Sequence, residues 1–251
     1  MKFNSFLFLL LFISNFSYSF EIKTDNQSID EIIYSFDLLK NKYIEEQDHR
    51  LVFTYIYLES TKEIKKQIHK GTYFYPAWVE NVTVKFGNLY LKSINSYDNG
   101  ESLPLCWKKS FDVNMTKKYY LSMQLLLGIN AHINHDLAFA LDGSFKDGFR
   151  PYLVKRDFFK MNELFDELTP VFFNLLYEME DLLGVSSNDK GFKEYMIFNY
   201  IKWMRKDAWQ SGLNLHRSNE LNRNFISNKI KNDALDHAEL IFSGRFFIPR
   251  R

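Results

Sequence analysis

The chain predicts an all-α fold: a single-domain bundle of about seven or eight helices around a buried central helix at 115–141. Three observations predict it. Only 10 glycines and 5 prolines punctuate 251 residues, which leaves room for few turns and favours long helices. Capping signals stand at helix-length intervals along the chain. The run Leu125–Leu141, LLLGINAHINHDLAFAL, is apolar on both sides of its helical wheel, the pattern of a helix buried all round.

The elements follow in order. Ser28 with Glu31 forms a capping box and opens a helix through about Tyr43. Asp48 is placed to cap a second helix, which runs to about Lys70 and closes on Gly71. An aromatic connection, Tyr73-Phe74-Tyr75-Pro76, leads into a helix over Ala77–Ser96, and Asp98-Asn99-Gly100 is a turn. Pro104 begins a short helix through Phe111, and Met115–Leu141 is the central one. Asp142–Pro151 reads as a loop. Asp157 caps a helix through Leu183, bent at Pro170 where a backbone donor is lost. Helices over 189–215 and 218–243 complete the bundle, the last capped by Ser218.

Residues 1–19 read as a signal peptide: Lys2, an apolar core from Phe6 to Phe16, then Ser17-Tyr18-Ser19 as a small-x-small cleavage site. The domain therefore spans 20–251, in a protein exported to a periplasmic or extracellular space. The apolar core is too short to cross a bilayer, so no integral membrane segment is expected after cleavage. Removing residues 1–19 takes one lysine and no acid from 32 basic and 31 acidic residues, so the mature chain carries 31 of each. A neutral chain gives no basis for capturing nucleic acid. The single cysteine, Cys106, cannot close an intramolecular disulfide, and between Leu105 and Trp107 it reads as a small core residue.

The central helix carries the chemistry. Asn130, His132, Asn134, His135 and Asp136 put five polar side chains into seven residues of a buried segment. Each costs free energy there unless it finds a partner. His132 and Asp136 fall on one face, with Leu125 and Ile129, while Asn130 and Asn134 fall on the opposite one. An i,i+4 His/Asp pair holds two metal-competent groups about 5–6 Å apart at Cβ. The catalytic candidates are His132 and Asp136, as metal ligands or as an acid/base pair, with Asn130 and Asn134 supporting them. The weaker metal candidates are Asp157, Asp48 and the second i,i+4 pair, Asp233 with His237. A divalent metal (Zn, Fe or Mn) is the cofactor such side chains take, and it would activate water for ester hydrolysis. In the opposing reading the same residues satisfy one another and only fix the packing of the bundle.

Several segments resemble, in order, a family catalogued as a domain of unknown function, DUF5995. They are Asp48, Phe53, Tyr57 and Thr61 in DHRLVFTYIYLEST, Phe74 before Trp78, and Phe86 with Tyr90 in KFGNLYLKS. Next come Pro104, Trp107 and Phe111, the LLGINAHINHDLAFAL run, Asp157 with Asn162, and Arg205 before Ala208-Trp209. The resemblance covers 48 to about 213 and implies an all-helical fold with a polar cluster at its centre. It implies no reaction. The His-x-x-x-Asp element is also similar to one in the helical zinc phospholipase C and P1 nuclease group, which implies zinc-dependent phosphoester hydrolysis. This chain departs from that group in its Phe20 start, where those enzymes use an N-terminus next to Trp, and in having six histidines in all.

Aromatic residues open a second functional reading. They make up 18% of the chain, enough to fill a core and still line an apolar pocket around His132 and Asp136. The chain would then be a non-catalytic binding protein for an apolar, amphipathic or lipid-like small molecule. Haem could reach His132, His135 or His237, though no haem attachment motif is present. No Gly-x-Ser-x-Gly, P-loop or Gly-x-Gly-x-x-Gly occurs, so serine hydrolase and nucleotide readings lack support. His49 and His69 are expected at the surface and His216 in a loop.

Overall fold

A computed structural model describes residues 22–185 and 194–243. The signal-peptide reading and the first residues of the last but one predicted helix lie outside the described residues. Within them the chain is all helix, with no strand. The first helix, α1 (Ile29–Glu45), has the predicted cap: Ser28 accepts from the Glu31 N–H, while the Glu31 carboxylate reaches back to the Gln27 N–H. The second, α2 (Leu51–His69), ends as predicted. Gly71 takes a left-handed φ of 72°, the Thr72 N–H returns to the Gln67 carbonyl and the Gly71 N–H to Ile68. After α3 (Pro76–Asp98) and α4 (Leu105–Thr116) comes a long central rod: α5 (Leu121–Asn130), a π-helical segment (Ala131–Asp136) and α6 (Leu137–Lys146). Then follow α7 (Pro151–Leu182), α8 (Glu194–Arg217) and α9 (Glu220–Phe242).

The rod is the axis of the bundle. It packs against α2, α3, α4, α7, α8 and α9, while α1 closes the outside of α2 and α3. Between Gln124 and Ala138 every side chain is buried except the half-buried Asn134, as the two-sided apolar wheel predicts. Two glycines let neighbouring helices come close. A Cβ on Gly128 would sit 2.7 Å from the Phe53 ring of α2, and one on Gly212 of α8 would sit 2.8 Å from Leu141 Cβ.

Four sequence expectations need correction. The central helix does not run over 115–141. The chain turns at Lys117, which adopts a left-handed φ of 54°, so Met115 belongs to α4 and the rod starts at Leu121. No glycine or proline marks that turn. At its other end the rod continues through Asp142-Gly143, because Asp142 is no loop residue: its buried carboxylate holds Lys146 one turn on and Arg223 from α9. The next helix begins at Pro151, with proline in the first turn where its missing N–H costs nothing, so Asp157 lies inside α7. The last helix is capped by Asn219, which accepts from the Asn222 N–H, and not by Ser218. Among the described residues no helix is long and apolar enough to cross a membrane.

Candidate functional site

The polar cluster sits where the rod changes its winding. Over Ala131–Asp136 the backbone is π-helical, and the Leu137 N–H reaches the His132 carbonyl five residues back. Such wide turns inside α-helices occur often at functional sites. His132, His135 and Asp136 are all buried here.

Asp136 is the centre of the cluster. Its Oδ2 accepts from His132 Nδ1 at 3.0 Å and from the Trp107 indole N–H of α4 at 2.9 Å, and its Oδ1 accepts from His135 Nδ1 at 2.7 Å. Burial pushes its carboxyl up, but the bonds and charge from the two imidazoles outweigh this and hold it below its ordinary range. An ionised carboxylate only accepts, so both histidines carry their proton on Nδ1. Burial in turn holds His132 below its usual range despite the pull of Asp136. Its ring is then neutral near pH 7, with the lone pair on Nε2. That nitrogen is buried and has no partner, as is the Nε2 of His135.

Aromatic rings fix the His132 imidazole. It stacks on Phe86 of α3, with centroids 3.4 Å apart and planes within 8°. The edges of Tyr57 (4.5 Å) and Phe53 (5.5 Å), both on α2, close in from the side. Trp107, stacked on Tyr90, completes the shell.

An apolar cavity of about 70 Å³ lies beside this ring. That is room for roughly five water-sized spheres. On α2 the residues Phe53, Ile56, Tyr57, Ser60 and Ile64 recur at helical spacing and form one wall. Ile129, His132, Ile133 and Leu137 of the rod form another, and Phe158, Met161 and Phe165 of α7 a third. Polar character is confined to a few groups. The Ser60 and Thr83 hydroxyls donate back to their own helices, at the Ile56 and Val79 carbonyls. The Tyr57 hydroxyl is buried without a partner, and burial raises its pKa well above the ordinary value. Arg205 of α8, 2% exposed, also lines the cavity. Burial brings its guanidinium down to about 10, which still leaves it charged at neutral pH.

The model of the family of unknown function DUF5995 matches residues 29–244. The chain belongs to that family. The match spans all the helices from α1 to α9, further at both ends than the resemblance legible in the sequence. No curated protein and no solved structure matches it.

In this DUF5995 chain the other candidate residues go elsewhere. Asn130 donates to the Ala234 carbonyl of α9, and Asn134 donates to Asn130 Oδ1 and contacts His237 Nδ1 at 2.9 Å. These two asparagines, on the face opposite His132, join the rod to α9. His237 thus faces inward but meets Asn134, while Asp233 pairs with Lys229. Asp48 is occupied by Arg50: it accepts from its backbone N–H at 2.8 Å and from its guanidinium at 2.7 Å. Asp157 caps no helix of its own. From inside α7 it accepts the Phe74 and Tyr75 N–H groups, at 3.1 and 2.6 Å, ahead of α3.

The structure therefore brings together His132, His135 and Asp136 and leaves Asp48, Asp157, Asp233 and His237 outside the cluster. Among the described residues no group of three or more His, Cys, Asp or Glu side chains is placed to hold a metal ion. The donor chemistry agrees, because both oxygens of Asp136 are turned toward N–H groups. His49, expected at the surface, is buried against Gln124, and His216 lies in the last turn of α8 with its ring against Phe145. Cys106 is buried, and burial pushes its thiol up. Sequence reasoning missed Tyr57, Phe86, Trp107 and Arg205 as site residues. Their signal was their place in the family-like segments, where they served only to carry the resemblance.

Proposed function

We propose that the chain binds a small, mainly apolar molecule in the cavity beside His132. The observation that carries this reading is the pairing of an apolar wall with buried polar atoms that lack partners, His132 Nε2 and the Tyr57 hydroxyl. A buried polar atom without a partner costs about 1–3 kcal/mol. A ligand with one polar end and an apolar body would recover that cost. The first 19 residues, read as a signal peptide, would put this site in an exported protein.

Binding is tested with straight-chain alcohols by calorimetric titration, butan-1-ol first to match the cavity, next to Ser60→Leu, which fills the cavity from α2. Saturable binding to the native chain that the variant loses supports the reading. Absence of binding across a series of alcohols of different length overturns it.

One observation favours a hydrolytic second reading. Asp136 holds His132 with its basic Nε2 unprotonated on a protected wall, the orientation of a general base. In ester hydrolysis Nε2 would take a proton from water as the water oxygen bonds to the acyl carbon. It would then return the proton to the departing alkoxide, giving acid and alcohol. No metal enters this scheme. Turnover of p-nitrophenyl butyrate that disappears in a folded His132→Gln variant supports hydrolysis. No turnover of p-nitrophenyl esters by the native chain leaves binding alone.

A further inference from the structure

Among the described residues Arg205 is the one charged side chain on the cavity wall, and no carboxylate among them balances it. It lies 2% exposed on α8. Its Nε donates to Asn162 Oδ1 at 2.8 Å, and Nη2 makes a long contact, 3.4 Å, to the Phe158 carbonyl. The rings of Phe158 and Phe165 face the guanidinium at 4.6 and 4.9 Å. Among the described residues no carboxylate lies within ion-pair distance of it, and Nη1 has no acceptor. The contrast within the same chain is sharp: buried Arg50 holds both Asp48 and Asp98.

A guanidinium does not give up its proton in a protein, so burial cannot neutralise it. Buried charges are as a rule paired. Ring faces and one amide oxygen offset part of the desolvation, but they supply no negative charge. Tyr57, whose hydroxyl is also without a partner, lines the same cavity from α2, near enough for the guanidinium charge to act on it. Two donors, one of them charged and fork-shaped, in an apolar cavity match the two oxygens of a carboxylate.

We propose that Arg205 is an anion subsite and that the ligand is a straight-chain carboxylate, its head group on Arg205 and Tyr57 and its alkyl chain in the cavity. This rests on the cavity-binding reading above and names the ligand class for it. The same head group is what ester hydrolysis at His132 would release.

The test titrates the full chain at pH 7.5 with butyrate, butan-1-ol and butylamine, alongside Arg205→Met and Tyr57→Phe. The native chain is expected to bind butyrate about tenfold or more tightly than the alcohol, and the amine least. Arg205→Met should erase the preference for the acid while keeping the alcohol, and Tyr57→Phe should weaken the acid severalfold. Arg205→Met replaces an unbalanced buried cation by an apolar side chain of similar length, so its melting temperature should hold or rise. Should that variant fail to fold, the native chain's order of preference still decides. Equal affinity for acid and alcohol, or an acid affinity unchanged in Arg205→Met, overturns the anion subsite and leaves cavity binding intact. Binding of none of the three overturns both.

Discussion

His132 Nδ1 lies 3.0 Å from Asp136 Oδ2, one turn along the same helix, and two further N–H groups converge on that carboxylate. One buried anion thus satisfies donors from the π segment and from α4. Its removal strands three donors in the core.

Asp136→Leu should therefore cost about 3–5 kcal/mol, the usual loss when one partner of a buried charged network is taken away. For a domain of this size each kcal/mol moves the melting temperature by about 2–4 °C. Equilibrium unfolding in urea measures the loss. A cost below about 1 kcal/mol would mean that the carboxylate does not hold the two imidazoles and Trp107 as the geometry has them.

Acid should weaken the fold in two stages. Burial holds His132 below its ordinary range, so the unfolded chain takes up that proton at a higher pH than the folded one. Stability is full above the unfolded histidine value of about 6.5 and falls as pH drops through it. His49, lowered chiefly by burial, acts in the same direction. Asp136 is also held low, so its contribution persists below pH 6 and is lost only as pH falls beneath the unfolded carboxylate value of about 4. Thermal melts at pH 7.5, 5.5 and 3.5 should show both declines. In a His132→Gln, His49→Gln double variant the first should flatten, and an unchanged slope there would rule out these two residues as its source.

The fold was legible where local chemistry and burial agree. The Ser28–Glu31 cap, the Gly71 and Gly100 helix ends and the two-sided apolar wheel each state their structure without tertiary help. Legibility ended where a distant partner decides. Asp142-Gly143 reads as a turn until Arg223, eighty-one residues later, claims the carboxylate. Asp157 reads as a helix cap, yet it lies inside α7 and holds the two N–H groups just ahead of α3, across the bundle. At the site, the i,i+4 register of His132 and Asp136 was readable, and so was the opposite face of Asn130 and Asn134. Trp107, Tyr57 and Arg205 were not, because each reaches the site from another helix and no spacing in the sequence links them.

The asparagine pair should govern how firmly α9 is held. Asn130 is the donor to the Ala234 carbonyl, and Asn134 connects Asn130 to His237. Asn130→Ala removes the donor and should cost about 1–3 kcal/mol. Because α9 is the element left unsatisfied, hydrogen exchange should quicken first in Glu220–Phe242 and spare α1 and α2. Uniform acceleration through the whole bundle would show instead that the pair supports the core as a unit.

Metal analysis separates the cluster seen here from the metal centre that the same side chains suggest in the sequence. Each Asp136 oxygen faces at least one N–H, and each Nδ1 is turned to the carboxylate, so a cation entering between them would have to break the bonds that hold the rings. Asp48, Asp157 and Asp233, the carboxylates that could have completed a ligand set, are bound to Arg50, to two backbone N–H groups and to Lys229. The purified chain incubated with Zn2+, Fe2+ or Mn2+ and then desalted should retain well under one equivalent by plasma mass spectrometry, and a chelator should leave its melting temperature unchanged. Retention of one equivalent that His132→Ala abolishes would reverse this. It would mean that the two imidazoles swing their Nε2 atoms, buried and without partners, onto a shared ion. Asp136 would then act behind the ligands as the group that orients them.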